Sequence, residues 1–285
     1  VAPEAGRTAL PRALLLVGVP LAGVFLVSLF IYLGFPYDKL GDRIKAETRR
    51  AGAVRIDFQD VGPSLHLAGP GIEATGVRAT LSNGETFRLE RAMLRPAWSL
   101  AWFRGAPAVY AEIESEAGNA VGTLILGDAG GWSGDLERVD IGKLPLAQFE
   151  HMGTLDGLLD ASVDILLGEQ GPEGSMTFEA RDGSIGLADF PMQLPFETLS
   201  GELLFGDDAY VAVKRLNLEG PMINAGVTGN VLQAASFSEA PLRLEIEIEA
   251  KPTISAAIRS AGIRVGRNGK AKARITGTVA KPNVR

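Results

Sequence analysis

Between residues 54 and 279 apolar side chains recur at every second position, and that period of two restricts the chain to β-sheet more firmly than any other feature it has. The stretch "PLRLEIEIEA" shows it best. Leu242, Leu244, Ile246 and Ile248 alternate with Arg243, Glu245, Glu247 and Glu249. Val54, Ile56 and Phe58 alternate with Arg55 and Asp57, and Val109, Ala111 and Ile113 with Tyr110, Glu112 and Glu114. Leu155, Leu159, Ala161, Val163 and Ile165 share a side opposite Asp156, Asp160 and Asp164. Strands with one dry and one wet side belong to antiparallel sheets. Turn chemistry punctuates them: "SNGE" (Ser82–Glu85) predicts an Asn-Gly hairpin, and Asp182-Gly183 predicts a turn after Met176, Phe178 and Ala180. Gly-x-Leu/Val recurs at Gly122, Gly153, Gly157, Gly201, Gly229 and Gly277, as bulges and bends in a strongly curved sheet require.

The dry side needs a cover, and the sequence offers little for it. Helix-like segments are short: Pro96–Arg104, Leu144–Met152 and Thr253–Gly262. A few turns do not shield a sheet of about ten strands. The expected fold is mainly β: a curved antiparallel sheet that either closes on itself as a sandwich or stays open as a groove, with a few short helices. Periodicity alone favours the sandwich. Charge makes a sharper prediction at the C-terminal end. Glu245, Glu247 and Glu249 on the strand Leu242–Ala250 match Lys270, Lys272 and Arg274 on the strand Lys270–Val279, so these two strands should lie side by side.

Ahead of the sheet, Ala13 to Leu33 is 21 residues without a charge. At about 1.5 Å per residue it is roughly 31 Å of helix, close to the ~30 Å hydrocarbon core of a bilayer. The run is too long for a signal-peptide core, and Tyr32, Leu33, Phe35 and Pro36 occupy the place of small cleavage-site residues. It reads as an uncleaved single-pass anchor. Tyr32, Phe35 and Tyr37 resemble an aromatic interface belt. Residues 37–52 read as an amphipathic helix, with Tyr37, Leu40 and Ile44 on one side, Lys39, Arg43, Lys45, Arg49 and Arg50 around the rest, and Gly52 as its stop. Lying on anionic headgroups and simply joining anchor to domain are both open to such a helix. The expected organisation is therefore 1–12 as a short N-terminal segment, 13–33 as the span, 34–52 as the juxtamembrane helix and 53–285 as the β-rich domain, with a sub-boundary near 143–153. Two basic residues precede the span and five closely follow it, so a raw Lys/Arg count puts the C-terminal part in the cytoplasm.

Several function classes fall away. A net charge of −6 argues against nucleic acid as a partner. The chain has no cysteine, hence no disulfide framework and no thiolate metal site. His66 and His151 stand far apart without metal-ligand partners. "GRNGKAK" (Gly266–Lys272) has its first glycine too close to Gly269 for a phosphate loop, and Ala271 where a hydroxyl should hold magnesium. Ser133 in "GWSGD" is followed by Gly134 and Asp135, so it makes no nucleophile elbow. Asp156, Asp160 and Asp164 are spaced along a strand at about 13 Å per four residues, too far apart for one ion. The residues predict no catalytic site, no cofactor and no metal.

The segments "FPYDKLGDRI", "VRIDFQDVGPSLHLAGPGIEATGVRATLSNGETFRLERAMLRPAWSLAWFRGAPAVYAEIESEAGNAVGTL" and "ERVDIGKLPLAQFEHMGTLDGLLDASVDI" follow one another in an order that resembles the type II secretion system protein N family of the deltaproteobacterial kind, with a more distant likeness to AsmA-like and TamB-like envelope proteins. The ending "ARITGTVAKPNVR" is similar to that family's terminal strand through Ile275, Gly277, Thr278, Val279 and Pro282. The resemblance implies a bitopic protein of the cell inner membrane, with residues 1–12 cytoplasmic and 37–285 periplasmic, opposite to the raw charge count. It further implies a non-enzymatic accessory of the secretion machine, with other secretion components as partners. The AsmA-like relatives imply a second function, an open β-groove that holds or transfers phospholipid in the envelope.

Overall fold

A computed structural model of the protein describes every residue except 1–11, 52–53, 67–68, 82–83, 98–106, 127–129, 145–152, 169–170, 188–192, 207–208, 235, 252–265, 267–268 and 285. Two helices come first, α1 (Arg12–Leu33) and α2 (Tyr37–Ala51). Fifteen strands follow: β1 (Val54–Asp57), β2 (Asp60–His66), β3 (Gly69–Leu81), β4 (Thr86–Pro96), β5 (Ala108–Ser115), β6 (Gly118–Ile125), β7 (Gly131–Asp140), β8 (Gly153–Gly168), β9 (Gly171–Leu187), β10 (Gln193–Gly206), β11 (Ala209–Glu219), β12 (Ile223–Val231), β13 (Leu242–Ala250), β14 (Lys270–Thr278) and β15 (Lys281–Val284).

All fifteen belong to one antiparallel sheet, and from β3 onward each strand pairs with the next in sequence. β1 and β2 share the outer edge of β3: β1 lies along Arg78–Leu81 and β2 along Gly69–Thr75. The thirteen steps from β1 to β15 make a sheet about 62 Å wide at ~4.8 Å per strand. Adjacent strands twist by roughly 20–25°, so a sheet of this size must coil. The mainly β expectation holds as one large antiparallel sheet. Among the described residues the closest backbone approaches of each strand are to its hydrogen-bonded neighbours. The three predicted short helices fall wholly or largely outside the described residues.

Registers confirm the charge-matched pair. Glu245, Glu247 and Glu249 of β13 stand opposite Arg274, Lys272 and Lys270 of β14. Arg274 bonds Glu245 at 2.6 Å, and Lys272 bonds Glu247. The expected hairpin after Leu81 also forms, with Gly84 donating to the Leu81 carbonyl at 3.0 Å; its Ser82 and Asn83 lie outside the described residues. The expected turn at Asp182-Gly183 does not form. β9 runs straight through it for 17 residues, and Asp182 takes a left-handed φ of 52° as a bulge. The reason lies across the ladder, where β8 slips register between Asp156 and Leu158 at the same level. There Gly183 sits so close to the Asp156 carbonyl and the Phe196 ring that a Cβ would overlap both.

Packing is densest toward the C-terminal half. Ile141, Ala180, Leu194, Phe196, Leu199, Leu218, Ile223 and Ala250 form one buried cluster, and Phe178, Leu216 and Ile248 lean on it. Phe178 lies over the next strand where Gly201 leaves room for its ring. At the other end, α2 covers the sheet edge. Gly41 admits the Phe58 ring, Lys45 lies 4.3 Å over that ring, and Arg49 pairs with Asp57 at 3.4 Å.

Candidate functional site

Following the strand registers across the sheet reveals the feature that most distinguishes this molecule. Ala74, Ala92, Ile113, Ala120, Leu136, Ala161, Phe178, Gly201, Leu216, Val227, Ile246 and Ala273 are successive partners from β3 to β14. Not one carries a charge or a polar side chain. The neighbouring row, two residues along, runs through Leu94, Ala111, Gly122, Gly134, Val163, Met176 and Leu203 and is equally apolar. The opposite face carries Asp135, Ser162, Thr177, Glu202 and Arg215 in register. Those five are exposed, whereas the apolar row from Ile113 to Ala273 is buried or half-buried throughout.

The row is narrow and free of polar side chains. Twelve strands at ~4.8 Å place its ends roughly 53 Å apart along the sheet, longer than any single acyl chain. Ala, Gly and Val alternate with Leu, Ile and Phe along it, and the Phe178 ring and the Leu216 side chain lie close over Gly201. Among the described residues no group of three or more His, Asp or Glu side chains is placed to hold a metal ion.

Of the five predicted interface residues, Tyr32, Phe35 and Tyr37 meet at the head of this sheet, at the elbow between α1 and α2, and Lys39 and Arg43 follow on α2. Pro36 follows the last turn of α1, and the axes of Pro20–Leu33 and Tyr37–Arg50 bend by 53°. Tyr37 is buried there; its ring meets Tyr32 at 6.1 Å and Phe35 at 5.2 Å, both edge-on. Its hydroxyl donates to the Tyr32 carbonyl at 2.7 Å, and burial raises its pKa, with Tyr32 adding to the effect. Tyr32 itself reaches into the sheet. Its hydroxyl lies 2.8 Å from the Ser64 carbonyl and 2.5 Å from the Gly71 carbonyl, and accepts the Gly71 N–H at 3.3 Å. Ser64 and Gly71 are partners in the β2–β3 ladder, so the last turn of α1 is spliced into the first hairpin. Lys39 and Arg43 point outward from α2 and are exposed, as is Phe35. α2 meets β1 and β2 through Gly41, Lys45 and Arg49, whereas Ile44 of its expected apolar side is exposed.

α1 forms as a 22-residue helix, and its side chains are described from Pro20. Leu21, Val24, Phe25, Val27, Phe30 and Ile31 are all exposed, Phe30 to 72%. Among the described residues no single helix is long and apolar enough to cross a membrane, and only the bent pair of α1 and α2 passes that test together.

Sequence reasoning missed a further set of residues at the ends of the strands. Leu124, Leu126, Leu166 and Leu167 are exposed. Their signal was present: "TLIL" and "DILLG" break the alternation with adjacent apolar residues just before a turn. Comparison of the chain with protein-family models, curated proteins and solved structures finds no match.

Proposed function

We propose that the protein is a membrane-anchored β-groove that binds phospholipid acyl chains on its apolar face. The observation that carries this reading is the uninterrupted apolar row from Ala74 to Ala273, carried by twelve successive strands of one sheet. An acyl chain is the ligand whose shape and chemistry match a narrow path without polar groups. Each buried CH₂ contributes about 0.8 kcal/mol, so one chain gains on the order of 10 kcal/mol along such a path. That gain stands in for a protein lid. The apolar surface of α1 beside the head of the groove supplies the second support, because it puts a source of lipid next to the path. The reading requires no catalytic chemistry, and the protein acts as a binder or carrier.

The experiment uses the full chain reconstituted in vesicles with a phospholipid bearing a photoactivatable group in its acyl chain. Irradiation should give adducts on Met176, Phe178, Leu216 and Ile246 and none on Glu202 or Arg215. Adducts confined to α1 would reject the groove.

The resemblance adds a setting: an inner-membrane accessory of the type II secretion system, with the sheet in the periplasm and other secretion components as neighbours. The ending that carries part of the likeness forms the β14–β15 hairpin, in which Gly277 pairs with Pro282 and the Thr278 hydroxyl accepts the Lys281 N–H at 3.2 Å. A reporter active only in the periplasm, fused after Arg285, is expected to be active. Activity of a cytoplasm-only reporter in its place would remove the secretion setting.

A further inference from the structure

We propose that a depression at the bulge between β3 and β4 binds a zwitterionic phosphodiester with the chemistry of a phosphoethanolamine headgroup. The site is independent of the apolar row and goes beyond the groove reading. Among the described residues, two like-charged pairs stand directly opposite each other in the strand registers. Asp160 faces Glu179 across β8–β9, and Arg78 faces Arg88 across β3–β4. Like charges in that relation destabilise a sheet. The chain resolves the first pair with a counter-charge of its own: Arg181 lies 2.6 Å from Glu179 and 3.6 Å from Asp160. For the second pair the described residues supply none. Arg78 and Arg88 are exposed, and neither forms a hydrogen bond or an ion pair there. Asp57, the register partner of Arg78 on β1, is taken by Arg49 at 3.4 Å. A phosphodiester oxyanion between the two guanidiniums does for them what Arg181 does for the two carboxylates.

The rest of the depression sets the second charge of the ligand. It has a volume of about 250 Å³ and is lined by Gly76, Arg78, Arg88, Glu90 and Glu116, with Gln59 folded over Gly76. Its place follows from the backbone. Gly76 takes a left-handed φ of 59°. On β4, Glu90 is an extra residue between Leu89 and Arg91, which face Ser115 and Glu114 of β5. A bulge of this kind re-aims side chains out of the regular ladder. Glu90 and Glu116 are exposed and, like the two arginines, form no ion pair among the described residues. Lys143 feels the charge of Glu116 but bonds Asp140 at 2.9 Å. Two cations and two carboxylates therefore line one depression without closing on each other. A ligand that carries an ammonium beside its phosphate answers both. The phosphate oxygens accept from Arg78 and Arg88, and the ammonium donates to Glu90 or Glu116. A plain anion would face the carboxylates, and a plain cation the arginines.

The full-length protein, in an uncharged detergent free of phosphate, is titrated by calorimetry with two soluble diesters. Glycerophosphoethanolamine and glycerophosphoglycerol share the phosphate and differ in the ammonium. The first should bind about tenfold more tightly than the second. Arg78→Gln and Arg88→Gln should each weaken both ligands by about tenfold, and Glu90→Gln with Glu116→Gln should remove the preference between them. All four positions are exposed, so urea unfolding of the variants should match that of the native chain. Binding of neither diester, equal binding of the two, or binding that neither arginine variant changes would overturn the site. A third titration, with dihexanoyl phosphatidylethanolamine, separates the sources of the headgroup. Tighter binding than that of the soluble diester, weakened in Arg88→Gln, assigns a lipid; equal binding assigns a soluble diester. Leu216→Asp, in the apolar row, should leave glycerophosphoethanolamine binding unchanged, so that failure of the groove and failure of this site are read apart.

Discussion

The strands before residue 144 and those after it share one alternation and bury it to different depths. In β8–β13 the large side chains of the dry face merge into a contiguous cluster, with Phe196 only 3% exposed. In β2–β7 exposed leucines stand at the strand ends, and Met93, 2% exposed, stands in register with Glu73 and Glu112 on the face that carries a polar network. There Arg91 reaches Glu73 at 3.1 Å and Glu114 at 3.4 Å, and Glu73 chiefly raises its pKa. The difference teaches that period-two patterning fixes which face is dry and leaves open how it is closed. One region closes it laterally, ring over glycine and leucine beside leucine. The other leaves leucines exposed at its strand ends.

The largest test of this contrast is a pair of truncations. Phe196→Ala should lose about 3–5 kcal/mol, because the cluster around it has few ways to collapse. Leu167→Ala, 55% exposed, should change stability by no more than about 0.5 kcal/mol. Urea unfolding of the two full-length variants in the same detergent compares them directly. Similar losses would mean that the two regions are packed alike.

A smaller effect is expected at the elbow. Tyr32→Phe removes one hydroxyl that serves the Ser64 and Gly71 carbonyls and the Gly71 N–H. The local ladder should weaken by about 0.5–1.5 kcal/mol. Hydrogen exchange should quicken at the amides of β2 and β3 around Ser64 and Gly71 and stay unchanged in β10–β12. An equal change in both places would show that the elbow is not a local splice.

The smallest effect is set by pH at β13–β14. The hydrogen bond and the charge of Lys272 lower the Glu247 pKa, and Glu247 raises that of Lys272 in return. The carboxylate's contribution is present above its ordinary value of 4.5 and fades as pH falls through the lowered pKa. The ammonium's contribution is present below its ordinary 10.5 and fades as pH rises through the raised pKa. Exchange at the β14 amides, corrected for intrinsic rates, should be flat between these limits and rise slightly at either end. A maximum of protection at one end instead would show that the pairs do not act as described.

Much of this architecture was legible in the sequence because it depends on local alternation and on paired charges. The β13–β14 register is the clearest case, since three glutamates and three cations at period two fit in one way. Asp182-Gly183 misled because a dipeptide cannot show that the opposing strand slips at Gly157, which turns a hairpin signal into a bulge. The single sheet was not legible, since alternation says that a face is dry and is silent on what lies over it. Tyr32 stood out in the sequence as an aromatic at the end of the apolar run, but its bonds to Ser64 and Gly71 join residues more than thirty positions away. The exposed leucines were hidden because adjacent apolar residues at strand ends read as noise.

The central claim is a continuous path fed from the α1 side, and a block within it tests that claim most directly. Leu216 stands between Phe178 and Ile246 in the apolar row, and Leu216→Asp places a charge there. With the photoactivatable phospholipid, the full-length variant should keep its adducts at Phe178 and lose most of those at Ile246. Undiminished adducts at Ile246 would contradict a path that lipid follows from strand to strand.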